Sequence, residues 1–382
     1  MQGWNPHAAH LWPTASDQLL LRAAVLHGDA AVLAWRAWRA THEIAAADLA
    51  SQALLPRIYC NLEAGELDAA DRGALRAAYR ETWTRNHAVL HHLLDVLRRF
   101  ARASIDAMVL KGVPLALLYY RDLGARVMAD VDVLIRADDL GRAADVLAAA
   151  GWRMEGSLPP ASIAAAVRAV AWAHPQGLLL DLHWRPFEID CPIDVEEAYW
   201  QRAHWYDVRD VRMRVPSPDD LLLLMCFHGR RQDPQARARW IVDALAVIAA
   251  ADPPVDWRAV LRRSEEAGLL PPVRDALGYL RREFSVDIAE EILQHAAAIP
   301  AEAAESRRYR ELAGLVPTAG VGLLGRFWWR YAAAYRSRRA PVPILGFVGF
   351  YLSYKQWQLR RRSRWPAAWH AIRRMVAKGM GR

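Results

Sequence analysis

Apolar and polar positions alternate most regularly between residues 105 and 184. Ile105 to Leu110 is a mostly apolar run that stops at Lys111-Gly112, and it predicts a strand. Val131, Val133 and Ile135 recur at every second position and predict another over 130–136, and a third apolar run predicts a strand over 178–184, after a turn at Gly177. Helical spacing fills the gaps. It predicts helices over 113–121, from Asp138 or Asp139 to near Gly151, and from Pro159-Pro160 to about Val170, with a short strand over 152–155. Upstream, 16–100 reads as helices, with Ser16 and Asp17 capping the first and a long helix from about Asp68 to Phe100. Downstream, HWYDV and VRMRV flank Arg209-Asp210 as a hairpin over 204–215. Ser217-Pro218-Asp219-Asp220 then opens a helical stretch to about 312. Four regions follow from this reading: a helical 1–100, an αβ core over 101–215, a helical 216–312, and a distinct 313–382.

Strand parity brings in the chemistry. Residues two apart share a face, so Asp130 and Asp132 point one way and Val131 and Val133 the other. Two carboxylates side by side repel, and burying them unpaired is costly. A divalent cation removes both problems, and hard oxygen ligands suit Mg²⁺. Asp181 lies 49 residues beyond Asp132 in the apolar run LLLDLHW, on what reads as a neighbouring strand. Three carboxylates on adjacent strands would hold two Mg²⁺ ions around a triphosphate.

The residues Leu110-Lys111-Gly112, Tyr119 or Tyr120, Gly124, Arg126, Asp130-Val131-Asp132, Gly151-Trp152 and Asp181-Leu182-His183-Trp184 together resemble the uncharacterised nucleotidyltransferase family. That family is a bacterial branch of the DNA polymerase beta-like nucleotidyltransferase superfamily. The likeness runs from about residue 54 to 270 and includes the helical stretches ARWIVDALAVI and DWRAVLRRSEEAGL. Lys111-Gly112-Val113 departs from the wider superfamily, which has a Gly-Ser pair there. The resemblance implies an α+β fold: a small mixed-sheet nucleotidyltransferase core flanked by extensive N- and C-terminal helices. It implies a metal-dependent enzyme that moves a nucleoside monophosphate from an NTP, such as ATP, to a hydroxyl acceptor, with Mg²⁺ or Mn²⁺ as cofactor. Asp130 and Asp132 would bridge the metals. Asp181 would hold the metal at the attacking oxygen and take the acceptor's proton. Lys111 is either a phosphate contact or a strand-end charge, and Gly112 lets backbone approach the phosphates. Arg126 either binds the β- or γ-phosphate or forms a salt bridge to the acidic cluster. His183 shares the face of Asp181; it orients the acceptor, hydrogen-bonds a carboxylate, or is structural. Trp184 faces the other way, into the core.

The remaining features bound this picture. Cys60, Cys191 and Cys226 fit no disulfide or metal spacing and suggest a reducing cytoplasm. The N-terminus shows no basic region followed by an apolar core, so no signal peptide is expected, and no apolar run is long enough to span a membrane. His87 and His91 are four apart and could share a metal, although a polar helix face explains them as well. Trp35, Trp38 and Trp83 read as core or interface residues, and Asp243 and His228 as capping or solvated groups rather than nucleotide contacts. The net charge of +8 is uneven: residues 312–382 contain 14 Lys plus Arg and no acid, leaving −6 for residues 1–311. Aromatics interleave with these arginines, which suits either a helix lying on an anionic membrane or a cap packed on the body. Nucleic acid is not an expected partner, since no known reading module is present. The reading is thus a cytoplasmic enzyme, peripheral at the inner membrane face if the tail docks there. The acceptor is a small molecule, sugar or modified peptide. The competing reading is a catalytically silent binding protein of the same fold, tethered to a membrane or biosynthetic complex.

Overall fold

Thr14 caps the first helix. Its hydroxyl accepts the Asp17 N–H at 3.1 Å while the Asp17 carboxylate accepts the Thr14 N–H at 2.8 Å, a reciprocal capping box. The expected cap at Ser16-Asp17 is therefore displaced by two residues. Ser16 instead accepts the indole N–H of Trp38. This computed structural model describes residues 12–63, 65–187, 191–229, 236–301, 305–306, 309–310, 328, 331–335, 343 and 346–362. Helices α1 (Ala15–Val25), α2 (Asp29–Arg39), α3 (Leu49–Gln52), α4 (Leu55–Asn61) and α5 (Ala69–Arg102) come first. The described residues fall into two compact units. One gathers residues up to Leu90, Lys111–Met128 and Pro216 onward to 320; the other gathers His91–Leu110, Ala129–Val215 and residues beyond 320. In the first unit Trp35 and Trp38 are buried, whereas Trp83 is 45% exposed and lies against His87. The buried stripe of α5 passes through Leu75, Thr82, Asn86 and Val89, so Trp83 falls just off it.

The second unit is built on one seven-stranded mixed sheet. Its strands are β1 (Ala107–Val109), β2 (Val131–Ile135), β3 (Arg153–Met154), β4 (Ala169–Ala173), β5 (Leu179–His183), β6 (His204–Val208) and β7 (Val211–Val215), in the order β3-β4-β5-β2-β1-β7-β6. The pairs β2/β5 and β1/β7 are parallel, and the rest are antiparallel. Helices α6 (Leu140–Ala149), α7 (Ala161–Ala164) and α8 (Ile193–Gln201) connect them. Val131, Val133, Ile135, Leu180, Leu182, Val170 and Trp172 form the buried face of the central strands.

The helix expected from Pro159-Pro160 to about Val170 is a correction: it stops after one turn, and Ala169–Ala173 is a strand. Alanine favours helix, but Val170 and Trp172 alternate with half-exposed Ala169, Ala171 and Ala173, and burial against the sheet outweighs propensity. Likewise the helix expected over 113–121 is a five-residue π-helical turn, Leu115–Tyr119.

Past the hairpin, Ser217 accepts the Asp220 N–H at 3.3 Å and donates to its carboxylate at 2.8 Å, and Pro218 begins α9 (Pro218–Gly229). Helices α10 (Ala236–Ala250), α11 (Trp257–Glu266), α12 (Leu270–Phe284) and α13 (Glu290–Ala298) complete the first unit's described helices. Most of residues 313–382, with the basic aromatic pattern expected there, lies outside the described residues. An exception is α14 (Phe347–Arg362) in the second unit. It buries Phe350, Tyr354 and Trp357, and Trp357 donates to the Ser157 carbonyl at 2.8 Å. Among the described residues, no helix is long and apolar enough to cross a membrane.

Trp172 tests the assignment of β4 to the sheet. It is 2% exposed between Met154 and Leu180 in register. Trp172→Ala is expected to lower stability by about 3–5 kcal/mol in chemical denaturation; an exposed helical tryptophan would cost far less.

Candidate functional site

Parallel pairing of β2 with β5 sets Asp132 directly across from Asp181, and Leu134 across from His183. Partners in register stand on one face of a sheet, so both carboxylates project together. His183, two residues beyond Asp181, projects with them. Its ring reaches Asp132: Nε2 lies 3.0 Å from Oδ1. Asp132 is 2% and His183 3% exposed, while Asp181 is half-buried. Ligand atoms of Asp132, Asp181 and His183 all lie within 4.8 Å of one another, and among the described residues no other such group of three occurs. On the far side of β5 the neighbours in register are Ala169, opposite His183, and Ala171, opposite Asp181.

The remaining expected residues sit as follows. Asp130 precedes β2, is half-buried, and is outside the group of three. Leu110 donates its N–H to the Asp132 carbonyl at 3.0 Å, and the chain then turns at Lys111-Gly112. Gly112 has a φ of +67°, a conformation that other residues adopt only with strain. Lys111 is half-buried. Lys111, Gly112 and Arg126 belong to the first unit, and Asp130, Asp132, Asp181 and His183 to the second. Trp184 is buried and donates to the Ala164 carbonyl.

Arg126 has a partner that the sequence reading did not assign. Its Nε and Nη2 donate to the two oxygens of Asp243 at 2.7 and 2.8 Å, a bidentate fork with side-chain exposures of 6% and 3%. Tyr120 donates to the same carboxylate at 2.8 Å. Burial first, and then the Asp243 charge, push the Tyr120 hydroxyl well above its ordinary pKa. Asp243 is thus neither a cap nor a solvated acid. It neutralises the arginine that the motif supplies. The spacing of 117 residues hides this pair from local patterns. Other groups hold the same segment. Asn86 donates to the carbonyls of Leu123 and Arg126. Asp122 accepts from Tyr79 and from the Gly124 N–H. A Cβ on Gly124 would sit 2.3 Å from the Tyr79 ring, so only glycine fits there. His228 is half-buried on α9 beside Phe227, and His87 bonds the Trp83 carbonyl of its own helix.

The donor set fits a divalent cation. Carboxylate oxygens together with an imidazole nitrogen are a common first shell for such ions.

Comparison with known proteins follows this geometry. A family model described as an uncharacterised nucleotidyltransferase matches residues 43–285, more than half of the chain. No curated protein matches. Among solved structures, an antigenic nucleotidyltransferase-like protein from Paracoccidioides brasiliensis is similar, at 19% identity over 52% of this chain and 87% of that one, with a TM-score of 0.34.

Breaking the Arg126 pair tests its structural weight. Asp243→Ala leaves a buried arginine without its counter-charge and is expected to cost about 3–5 kcal/mol in denaturant titrations. The double variant Arg126→Met/Asp243→Leu is expected to recover most of that loss.

Proposed function

We propose that this chain, which belongs to the uncharacterised nucleotidyltransferase family, transfers a nucleoside monophosphate from an NTP to a hydroxyl acceptor: a small molecule, a sugar or a modified peptide. The observation that carries this reading is the register of β2 and β5, which sets Asp132 opposite Asp181 with His183 beside them. Asp132 and Asp181 would hold Mg²⁺ or Mn²⁺, with Asp130 at the head of the same strand as a further ligand. When bound, the cation supplies charge neutralisation at the triphosphate.

The chain's own residues do the rest. Asp181, the more accessible carboxylate, takes the proton of the acceptor hydroxyl. The acceptor oxygen bonds the α-phosphorus in line, the bond to the β-phosphate oxygen breaks, and pyrophosphate leaves. The family resemblance assigns nucleotide contacts to Lys111 and Gly112. His183 holds Asp132 by its hydrogen bond. Catalysis here is mainly positioning and electrostatics. A second reading, a silent binding protein of the same fold, draws support from Arg126, whose fork is committed to Asp243.

The tail adds a partner to the proposal. Residues 312–382 carry +14, and α14 exposes Val348 and Leu352, 64% and 61% accessible, one turn apart. Exposed apolar residues on a helix within a strongly basic stretch of sequence suit the surface of an anionic membrane.

Two measurements follow. Pyrophosphate release is assayed with each NTP, Mg²⁺ or Mn²⁺, and cell extract as the source of acceptor. Release is expected with the native chain and absent from a folded Asp130→Ala/Asp132→Ala variant; release that survives in the variant rejects the site. In vesicle sedimentation, binding to phosphatidylglycerol but not phosphatidylcholine vesicles is expected, weakening at high salt and in Val348→Asp/Leu352→Asp. Equal partitioning to both vesicle types would remove the membrane from the proposal.

A further inference from the structure

We infer that, once a cation is bound, Nε2 of His183 ligates it directly in place of its hydrogen bond to Asp132, and that the site consequently prefers Mn²⁺ to Mg²⁺. The inference rests on the reading above only in taking a divalent cation to bind at Asp132 and Asp181.

The ring position supports it first. His183 stands at the end of β5, from which its side chain could reach away from the carboxylates. It instead turns back along the strand, bringing Nε2 to 3.0 Å from Asp132 Oδ1. Two adjacent ligands on one octahedral ion, each about 2.1 Å from it, lie about 3 Å apart. Nε2 and Oδ1 are thus already spaced as neighbouring corners of a single coordination shell. The third ligand atom, from Asp181, lies within 4.8 Å of both, a separation that a side-chain rotation closes.

The second nitrogen leaves the tautomer open. Nδ1 of His183 is buried and makes no hydrogen bond to the protein. Here no protein acceptor or donor at Nδ1 ties the ring proton to Nε2. With that proton on Nδ1, the Nε2 lone pair faces the two carboxylates, where a cation would lie.

Ligand chemistry then sets the metal. Mg²⁺ requires hard oxygen ligands and gives up water reluctantly, so an imidazole in its shell gains little. Imidazole nitrogen binds first-row transition ions well, and Mn²⁺ shares the carboxylate preference of Mg²⁺ while accepting nitrogen. Asp130 lies outside the group of three, so a ligand set built only from the strand acids would have a different metal preference from the set assembled here.

The test uses the full chain and metal alone. Mn²⁺ is titrated by loss of the free-ion electron paramagnetic resonance signal, with Mg²⁺ as competitor, and the bound ion is examined by electron spin-echo envelope modulation. Nitrogen modulation from a directly bound imidazole is expected, with Mn²⁺ displaced only by a large excess of Mg²⁺. In His183→Ala, checked for folding by circular dichroism, the modulation is expected to vanish. The Mn²⁺ preference is expected to fall by at least about tenfold. If His183→Ala does not fold, the native spectrum decides. Bound Mn²⁺ without nitrogen modulation would overturn the inference and leave His183 as a hydrogen-bond partner of Asp132. Modulation together with no pyrophosphate release from any NTP would uphold the ligand and reject the transferase reading. Absence of Mn²⁺ binding would overturn both.

Discussion

Two carboxylates face each other across the parallel strands β2 and β5, and the rest of the second unit is arranged to keep them there. That juxtaposition exists only while the sheet register holds. A slip of one residue in β5 would send Asp181 and His183 to the buried face and bring Leu180 and Leu182 out. The apolar side opposes that slip, because Leu180 and Leu182 are 1% and 0% exposed among Val131, Val133, Val170 and Trp172. β4 opposes it again, through five residue pairs with β5. Hydrophobic burial on one face therefore fixes which side chains meet on the other. The residues of β4 in register with Asp181 and His183 are the alanines Ala171 and Ala169.

The segment from Tyr120 to Met128 is held by different physics. Its backbone carbonyls are bound by Asn86 and Arg85, its Asp122 by Tyr79, and its Arg126 by Asp243. Gly124 is the point where an aromatic ring lies against the backbone. The glycine and arginine of this motif thus have an account that needs no ligand: one permits close packing, and the other anchors the segment to α10. A buried bidentate pair adds little net stability over an apolar pair of the same shape, but it penalises any arrangement that separates its partners. It acts as a registration device in the first unit, where helix packing alone would tolerate small shifts.

How much of this could be read in the chain depends on the range of the interaction. Strand parity is local, so the shared face of Asp181 and His183 followed from spacing within β5, whereas their meeting with Asp132 comes from the register of β2 and β5. Local spacing also marked the hairpin at Arg209-Asp210 and the capped start of α9, where proline, serine and acids stand next to one another. β4 was missed because its outward residues are alanines, which leave no polar alternation to mark the exposed face. Arg126 with Asp243 was missed because nothing local relates residues 117 positions apart. The π-helical turn at Leu115–Tyr119 stands where a regular helix was expected, and no local propensity marks the difference. His183 was placed on the correct face, but its approach to Asp132 depends on the neighbouring strand and not on its own sequence.

The fork on Asp243 also limits what Arg126 can do. An arginine bound in this way contributes little net charge to an anion, since the anion must first disturb a buried pair. The motif's arginine therefore has its work within the first unit, where its partner on α10 fixes the segment that carries it. The strand residues of the second unit differ in kind: Asp132, Asp181 and His183 bring ligand atoms within 4.8 Å of one another, and all of them are types that hold cations. A pattern of residues close together in sequence thus divides into a part explained by packing and a part explained by ligand chemistry.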